Sequence, residues 1–339
     1  MKVLITGGLG FIGINTAIEF SKKYDVHILD NCSRNGNLIN FELIKNEKIK
    51  LHIKDIRNQY EVDNLIKDLL PDVIIHLAGQ VAVTSSVKNP REDFEINALG
   101  TFNILESVRK YNPKTIILFS STNKVYGDFE HEVIETSKRY KYKDISGINE
   151  ETLLDFHSPY GCSKGVADQY VRDYHRIYNL QTVVLRQSCV YGINQFGIED
   201  QGWVAWFSIA ANYNKKFKIY GNGKQVRDIL YVSDLINLYE RIIENIEDCS
   251  GKIYNVGGGE NNTLSLLELV DYLEIKLDKK LELDFENWRP GDQKIYVSDL
   301  TKIQKEIGWS PSINYKEGLD YLDSWIKKNE KNFKFLNLI

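Results

Sequence analysis

What this sequence lacks narrows its possible functions. No apolar run approaches the roughly 18 residues that cross a bilayer, and Lys2-Val3-Leu4-Ile5-Thr6 runs straight into glycines instead of the apolar core of a secretory leader. Cysteine is scarce. Cys32, Cys162, Cys189 and Cys249 lie far apart without a Cys-x-x-Cys pair, so neither a metal site nor a disulfide framework is expected, and a reducing cytoplasm is. An excess of one charge is missing too. The formal net charge of -4 gives no global attraction for nucleic acid or an anionic membrane, and neither is expected as a partner. Internal repeats and low-complexity tracts are also absent.

What is present is an ordinary globular balance of 339 residues, 42% hydrophobic and 27% charged, enough chain for two lobes. Short β-branched runs at about 2–6, 25–30, 49–54, 72–78, 115–120 and 181–187 alternate with amphipathic stretches at about 11–23, 58–69, 91–111 and 160–178. This alternation predicts an α/β fold, a Rossmann-type doubly wound parallel sheet covered on both faces. After about residue 189 the rhythm weakens, and Gly, Asn, Gln and Trp accumulate. The expected division is a dinucleotide-binding domain over 1–188, joined by part of 228–260, and a smaller substrate lobe over most of 189–339. The polar segment 123–158 is too long for a simple connection. It reads either as an insert near the site or as a mobile loop.

Gly7-Gly8-Leu9-Gly10-Phe11-Ile12-Gly13 follows the first strand and opens the first helix. Gly7 permits the tight turn, Gly10 lets backbone N–H groups approach a pyrophosphate, and Gly13 allows helix to pack on strand. The helix N-terminus adds partial positive charge. Asp30 ends the next strand, where a carboxylate can hold the adenosine ribose, and it favours NAD over NADP by repelling a 2′-phosphate. Arg34 pulls the other way, since it can pair with that phosphate. Asp55-Ile56-Arg57 closes the third strand beside the adenine position, although Asp55 equally suits a cap for the helix at about 58–69. Small residues in Leu77-Ala78-Gly79-Gln80 let the chain pass beside the cofactor.

Ser158-Pro159-Tyr160-Gly161-Cys162-Ser163-Lys164 starts a helix, with Ser158 as a candidate cap and Pro159 in the first turn. Tyr160 and Lys164 share one helical face. An ammonium beside a phenol favours phenolate, which can take the proton of a sugar hydroxyl while hydride leaves the adjacent carbon. The same spacing fits a packed tyrosine and an exposed lysine. Ser120-Ser121-Thr122 favours the chemical reading, because it puts hydroxyls at the carboxyl edge of the sheet.

With Asn97, Val125-Tyr126-Gly127, Arg227-Asp228 and Arg289-Pro290-Gly291-Asp292, nearly the whole chain resembles the extended short-chain dehydrogenase/reductase family of nucleotide-sugar epimerases and dehydratases. The resemblance implies a cytoplasmic enzyme whose NAD is tightly held and recycled, with Thr122, Tyr160 and Lys164 as catalytic residues. It assigns the cofactor to Gly7, Gly10, Phe11, Ile12, Gly13, Asp30, Asn31, Ser33, Arg34, Asp55, Ile56, Leu77, Ala78, Gln80, Asn97, Ser120, Tyr160, Lys164 and Ser188. The substrate falls to Thr84, Thr122, Asn123, Tyr160, Cys189, Gln201, Trp203, Arg227 and Arg289, the two arginines gripping a diphosphate. Ion pairs with Asp228 and Asp292 are the alternative for those arginines, and core packing the alternative for Trp203. Family members commonly dimerise through helices matching about 91–111 and 160–178, so a homodimer or homotetramer is expected.

Dehydratases of the family place Asp-Glu directly after the threonine, an acid and a base for elimination. Here the pair is Asn123-Lys124. Lys124 equally disfavours the decarboxylases, which carry Glu at that position. Epimerisation needs no further acid–base residue. Longer stretches, including His76-Leu77-Ala78-Gly79-Gln80-Val81-Ala82 and Asp200-Gln201-Gly202-Trp203-Val204, resemble the branch that inverts C2 of CDP-linked 3,6-dideoxyhexoses. A CDP-linked deoxysugar is therefore the expected substrate. Cys189 stands where UDP-hexose 4-epimerases carry an asparagine that touches the diphosphate, which weakens that alternative. A non-catalytic NAD-binding regulator is the other, and the intact Thr122, Tyr160 and Lys164 argue against it.

Overall fold

The computed structural model describes residues 1–339 except Asn35, Asn46, Phe129, Glu130 and Pro290, together with the side chain of Phe217. Pro290 of the Arg289–Asp292 motif thus lies outside the described residues. Seven parallel strands form the central sheet: β1 (Lys2–Thr6), β2 (Asp25–Asp30), β3 (Lys50–Ile53), β4 (Val73–His76), β5 (Ile116–Thr122), β6 (Gln181–Gln187) and β7 (Ile253–Val256). Their order is β7-β6-β5-β4-β1-β2-β3. The chain is of the doubly wound Rossmann type.

Alternate residues of each strand feed opposite faces, as the two-residue period of a strand requires. Val3, Ile5, Val26, Ile28, Val73 and Ile75 pack with Ile14, Ala17 and Phe20 of α1 (Phe11–Phe20) and with later hydrophobic residues of the chain. Leu4, Leu29, Ile74, Ile117 and Phe119 enter the other core, with α2 (Gln59–Leu69), α3 (Gly100–Tyr111) and α4 (Ser158–Tyr178). Burial on both faces explains why these strands read as continuous apolar runs. Strand order reverses between β1 and β4, and the crevice at their carboxyl ends is where such folds bind ligands.

The helix expected over about 91–111 is interrupted. Pro90–Phe94 is α-helical, Glu95–Leu99 is a π-turn, and α3 follows. The wider turn carries Asn97 inward, where its Nδ2 reaches Gln80 O (3.1 Å) and Ser163 Oγ (3.0 Å). β5 runs two residues beyond its expected end, so Ser120, Ser121 and Thr122 are all still strand.

β7 extends the sheet beside β6, and α5 (Val232–Glu244) lies against α1. A second, smaller sheet is centred on Val226–Tyr231. That strand pairs in parallel with Cys189–Tyr191 and Ile295–Tyr296, and antiparallel with Thr263–Ser265. Within the polar segment, Val133–Glu135 and Tyr140–Tyr142 form a hairpin. It is docked on the C-terminal residues: Tyr140 N donates to Lys224 O (2.9 Å), and Arg139 clasps both oxygens of Glu268 (2.7 and 2.6 Å). Among the described residues, no helix is long and apolar enough to cross a membrane.

A buried network fixes the start of the site. Arg186 on β6 makes a two-pronged pair with Asp168 on α4 (3.0 Å each) and donates to Tyr126 Oη (3.0 Å), while Ser121 Oγ donates to Asp168 (2.7 Å). It ties α4 to the carboxyl ends of β5 and β6.

Candidate active site

The crevice above β1 and β4 is a cleft of about 360 Å³. At one end the glycine loop is packed too tightly for side chains. A Cβ at Gly13 would fall 2.5 Å from Gly7 O and Gly8 Cα, and one at Gly7, where φ is +68°, 2.8 Å from Ala78. Gly7, Gly10, Phe11, Ile12 and Gly13 line the cleft, and the first turn of α1 presents N–H groups that have no intrahelical acceptor. This cradle fits a pyrophosphate.

Asp30 lines the same end. Its carboxylate accepts from Leu9 N (3.0 Å), Cys32 N (2.8 Å) and Asn37 Nδ2 (2.9 Å), and burial pushes its pKa up against the backbone donors. It therefore braces the glycine loop as well as facing a ribose. Arg34 lines the cleft as well and still bears electrostatically on Asp30, while its guanidinium donates to Gln201 Oε1 (2.8 Å) and Gly79 O (3.4 Å). Asp55 lines the cleft and is gripped by Arg57 (3.0 and 2.7 Å). The Arg57 hydrogen bond is the main reason its carboxyl is held down at about 2, with Asn31 contributing. The cap of α2 is Asn58, not Asp55.

Asn31, Ser33, Ile56, Leu77, Ala78, Ser120 and Ser188 also line the cleft. Gln80 and Asn97 do not. Gln80 Nε2 donates to Asp93 (3.0 Å), Gln80 N to Asn97 Oδ1 (2.9 Å), and Ser163 Oγ to Asp93 (2.5 Å). These residues form a hydrogen-bonded brace between the Gly79 strand end and α4. Asn37, Lys54, Gln187 and Gln195 line the cleft and were not anticipated. Lys54 directly follows β3, a positional signal that could have found it, whereas Asn37 opens the short helix Asn37–Ile44.

At the other end Tyr160, Lys164 and Thr122 converge on the cleft. Ser86 Oγ accepts Tyr160 N (3.1 Å), and Ser158 Oγ accepts Gly161 N (3.2 Å), fixing the first turn of α4. Burial pushes the Tyr160 phenol up to about 12, against the Thr122 hydrogen bond and the Arg34 charge. Burial likewise pulls Lys164 down to about 8, against Asp168 and Asp93; its ammonium donates to Ser120 O (2.5 Å) and sits 4.3 Å from the Phe119 ring centre. At neutral pH the phenol is neutral, while Lys164 remains mostly an ammonium. A positive charge arriving in the cleft shifts the phenol back toward phenolate. His76 is not an acid–base candidate. It is fully enclosed between Thr6 (2.6 Å) and Thr101 (3.0 Å), and burial drives its pKa down to about 3.

The residues assigned to substrate divide into two sets. Cys189, Gln201 and Trp203 line the cleft with Thr122 and Tyr160, and the Trp203 indole donates to Cys189 Sγ (3.4 Å). Thr84, Asn123, Arg227 and Arg289 do not line it. Thr84 Oγ1 is buried without a hydrogen-bond partner among the described residues. Asn123 reaches Gln293 (3.4 Å), and Arg227 pairs with Asp292 (2.7 Å). Arg289 pairs with Asp200 (2.9 Å) and lies over the Tyr220 ring (3.8 Å). Asp228 takes neither arginine; its carboxylate turns to Gly259 N (3.1 Å).

A family model described as GDP-mannose 4,6 dehydratase matches residues 4–322. CDP-paratose 2-epimerase of Salmonella typhi is 47% identical, across 96% of this chain and 99% of that protein. Among solved structures, dTDP-glucose 4,6-dehydratase from Bacillus anthracis in complex with NAD is 28% identical, with a TM-score of 0.84 and 99% of both chains covered. UDP-glucose 4-epimerase from Thermotoga maritima with UDP-glucose is 27% identical, also with a TM-score of 0.84, covering 97% of this chain and 100% of that one.

Proposed function

Because the chain belongs to the GDP-mannose 4,6-dehydratase family of NAD-dependent epimerases and dehydratases, we propose that this enzyme inverts C2 of a CDP-linked 3,6-dideoxyhexose, converting CDP-paratose to CDP-tyvelose. The cofactor is NAD, and the glycine cradle and Asp30 fit it. When bound, it supplies a hydride acceptor and a positive ring that favours the Tyr160 phenolate. Tyr160 Oη then takes the proton of the C2 hydroxyl and later returns it. Lys164 holds positive charge behind the phenol, and Thr122 positions the reacting oxygen by hydrogen bonding. The C2 hydride, accepted by bound NAD as Tyr160 takes the proton, would return to the opposite face of C2, completing the inversion.

One observation favours this over elimination. Among the described residues lining the cleft, the only carboxylates are Asp30 and Asp55, both at the adenosine end. Directly after Thr122 stand Asn123 and Lys124, with no carboxylic acid pair of the kind that loss of water requires. Incubating the purified protein with CDP-paratose and, separately, with UDP-glucose tests the reading by NMR. Inversion at C2 of the CDP-sugar is expected; turnover of UDP-glucose alone would overturn it and point to a 4-epimerase.

The proposal extends to a cytoplasmic homo-oligomer. Phe94, Leu99, Tyr170 and Ile177 are exposed on the neighbouring helical segments about 91–111 and 160–178, an apolar surface suited to a second copy. Light scattering should give a dimer or a tetramer, and a monomer at micromolar concentration contradicts it.

A further inference from the structure

We propose that Lys124 is a substrate-binding, specificity-determining residue whose ammonium takes up the substrate diphosphate on its sugar side, between Thr122 and Arg227. The class of ligand rests on the functional reading above. The placement of Lys124 rests on the geometry of the chain itself.

Lys124 begins the turn that leaves the reactive end, and its backbone N–H donates to Thr122 Oγ1 (3.3 Å). A lysine on such a turn ordinarily extends into water. Here the side chain is only 18% exposed, and its ammonium donates to Gly291 O (3.0 Å) with Asp292 Oδ1 at 3.9 Å. That same Asp292 oxygen accepts Arg227 Nη2 at 2.7 Å. One carboxylate therefore serves two cations. The charged and titratable groups facing Lys124 include Arg227, Asp292, Cys189 and the exposed Asp128, and the buried Asp228 faces Cys189 as well. Burial raises the Cys189 thiol, which stays neutral.

The cluster thus sets two cations on one shared carboxylate, with the other carboxylates, Asp128 and Asp228, at its margins. A desolvated ammonium 3.9 Å from a carboxylate that already pairs with Arg227 is only partly compensated, and an anion brought to it gains accordingly. Cys189 belongs both to this cluster and to the cleft lining, so the cluster borders the cavity, although Lys124 and Arg227 do not themselves line it. A phosphate oxygen meets the requirement better than a sugar hydroxyl, since an ammonium is a compact point charge.

Burial and the Arg227 charge hold Lys124 down at about 8. The sign follows: below that pH the ammonium is charged and the contact exists, and it is lost as pH rises through it. The experiment measures CDP binding to NAD-loaded protein by calorimetry between pH 6.5 and 9.5. Wild type should weaken about tenfold across that range. Lys124→Arg should bind as wild type does at pH 7 and lose the pH dependence. Lys124→Met should bind about tenfold more weakly at pH 7, with NAD content and melting temperature unchanged. The inference is overturned if Lys124→Arg keeps the wild-type pH dependence, or if Lys124→Met binds CDP normally. A wild-type protein that neither binds CDP nor turns over a CDP-sugar contradicts the functional reading instead.

Discussion

Tyr160→Phe is expected to lower turnover about 10³-fold, within the 10²–10⁴ that a positioned acid–base group supplies, while NAD remains bound. The phenol lines the reactive end beside Thr122, placed to take a proton and give it back, and His76 is locked as a neutral structural side chain. The loss should fall on kcat and leave KM nearly unchanged, because the proton moves only in the chemical step. Stability should hardly respond. The ring stays in place, and one hydroxyl bond is worth about 1 kcal/mol. Steady-state rates, with nicotinamide content measured by mass spectrometry after denaturation, check both halves. A variant that keeps more than a tenth of wild-type turnover shows that Tyr160 is not the acid–base group. Loss of NAD would instead mean that the phenol hydroxyl holds the cofactor.

The largest effect on stability is expected at Asp168→Ala. The Arg186 guanidinium is 1% exposed and Asp168 is fully buried. Removing the carboxylate leaves a buried cation without its partner, which costs about 3–5 kcal/mol. At roughly 2–4 °C per kcal/mol for a domain of this size, thermal unfolding with saturating NAD should shift down by about 10 °C. Ser121 also loses its acceptor beside Thr122, so turnover should fall with stability. A shift under 2 °C would mean that water or a rearranged side chain satisfies Arg186, and that the network is not what seats α4.

The contrast between these two residues shows what a sequence makes legible. Tyr160 stands out because its partner is four residues away on the same helix, and the glycine loop because three steric requirements fall within seven residues. Both are local patterns. The continuous apolar strands are equally legible, since burial on both faces leaves its mark on every position. Asp168 and Arg186 carry no such mark, because their pairing exists only when a helix crosses the sheet. The same holds for Lys124 and Gly291, 167 residues apart. Gln80 and Asn97 were recognisable as important, but only the π-turn at Glu95–Leu99 reveals that they brace the cleft without lining it. Arg34 lies four residues after Asp30, yet its hydrogen-bond partner Gln201 is 167 residues away, and no local pattern announces it.

The most direct test of internal hydride return is turnover of CDP-paratose in deuterium oxide, followed by NMR at C2. Hydrogen that leaves and returns as hydride never meets solvent, so the inverted product should carry protium at C2. Deuterium at that carbon in the product would show that C2 is deprotonated, and would contradict an NAD-dependent epimerisation.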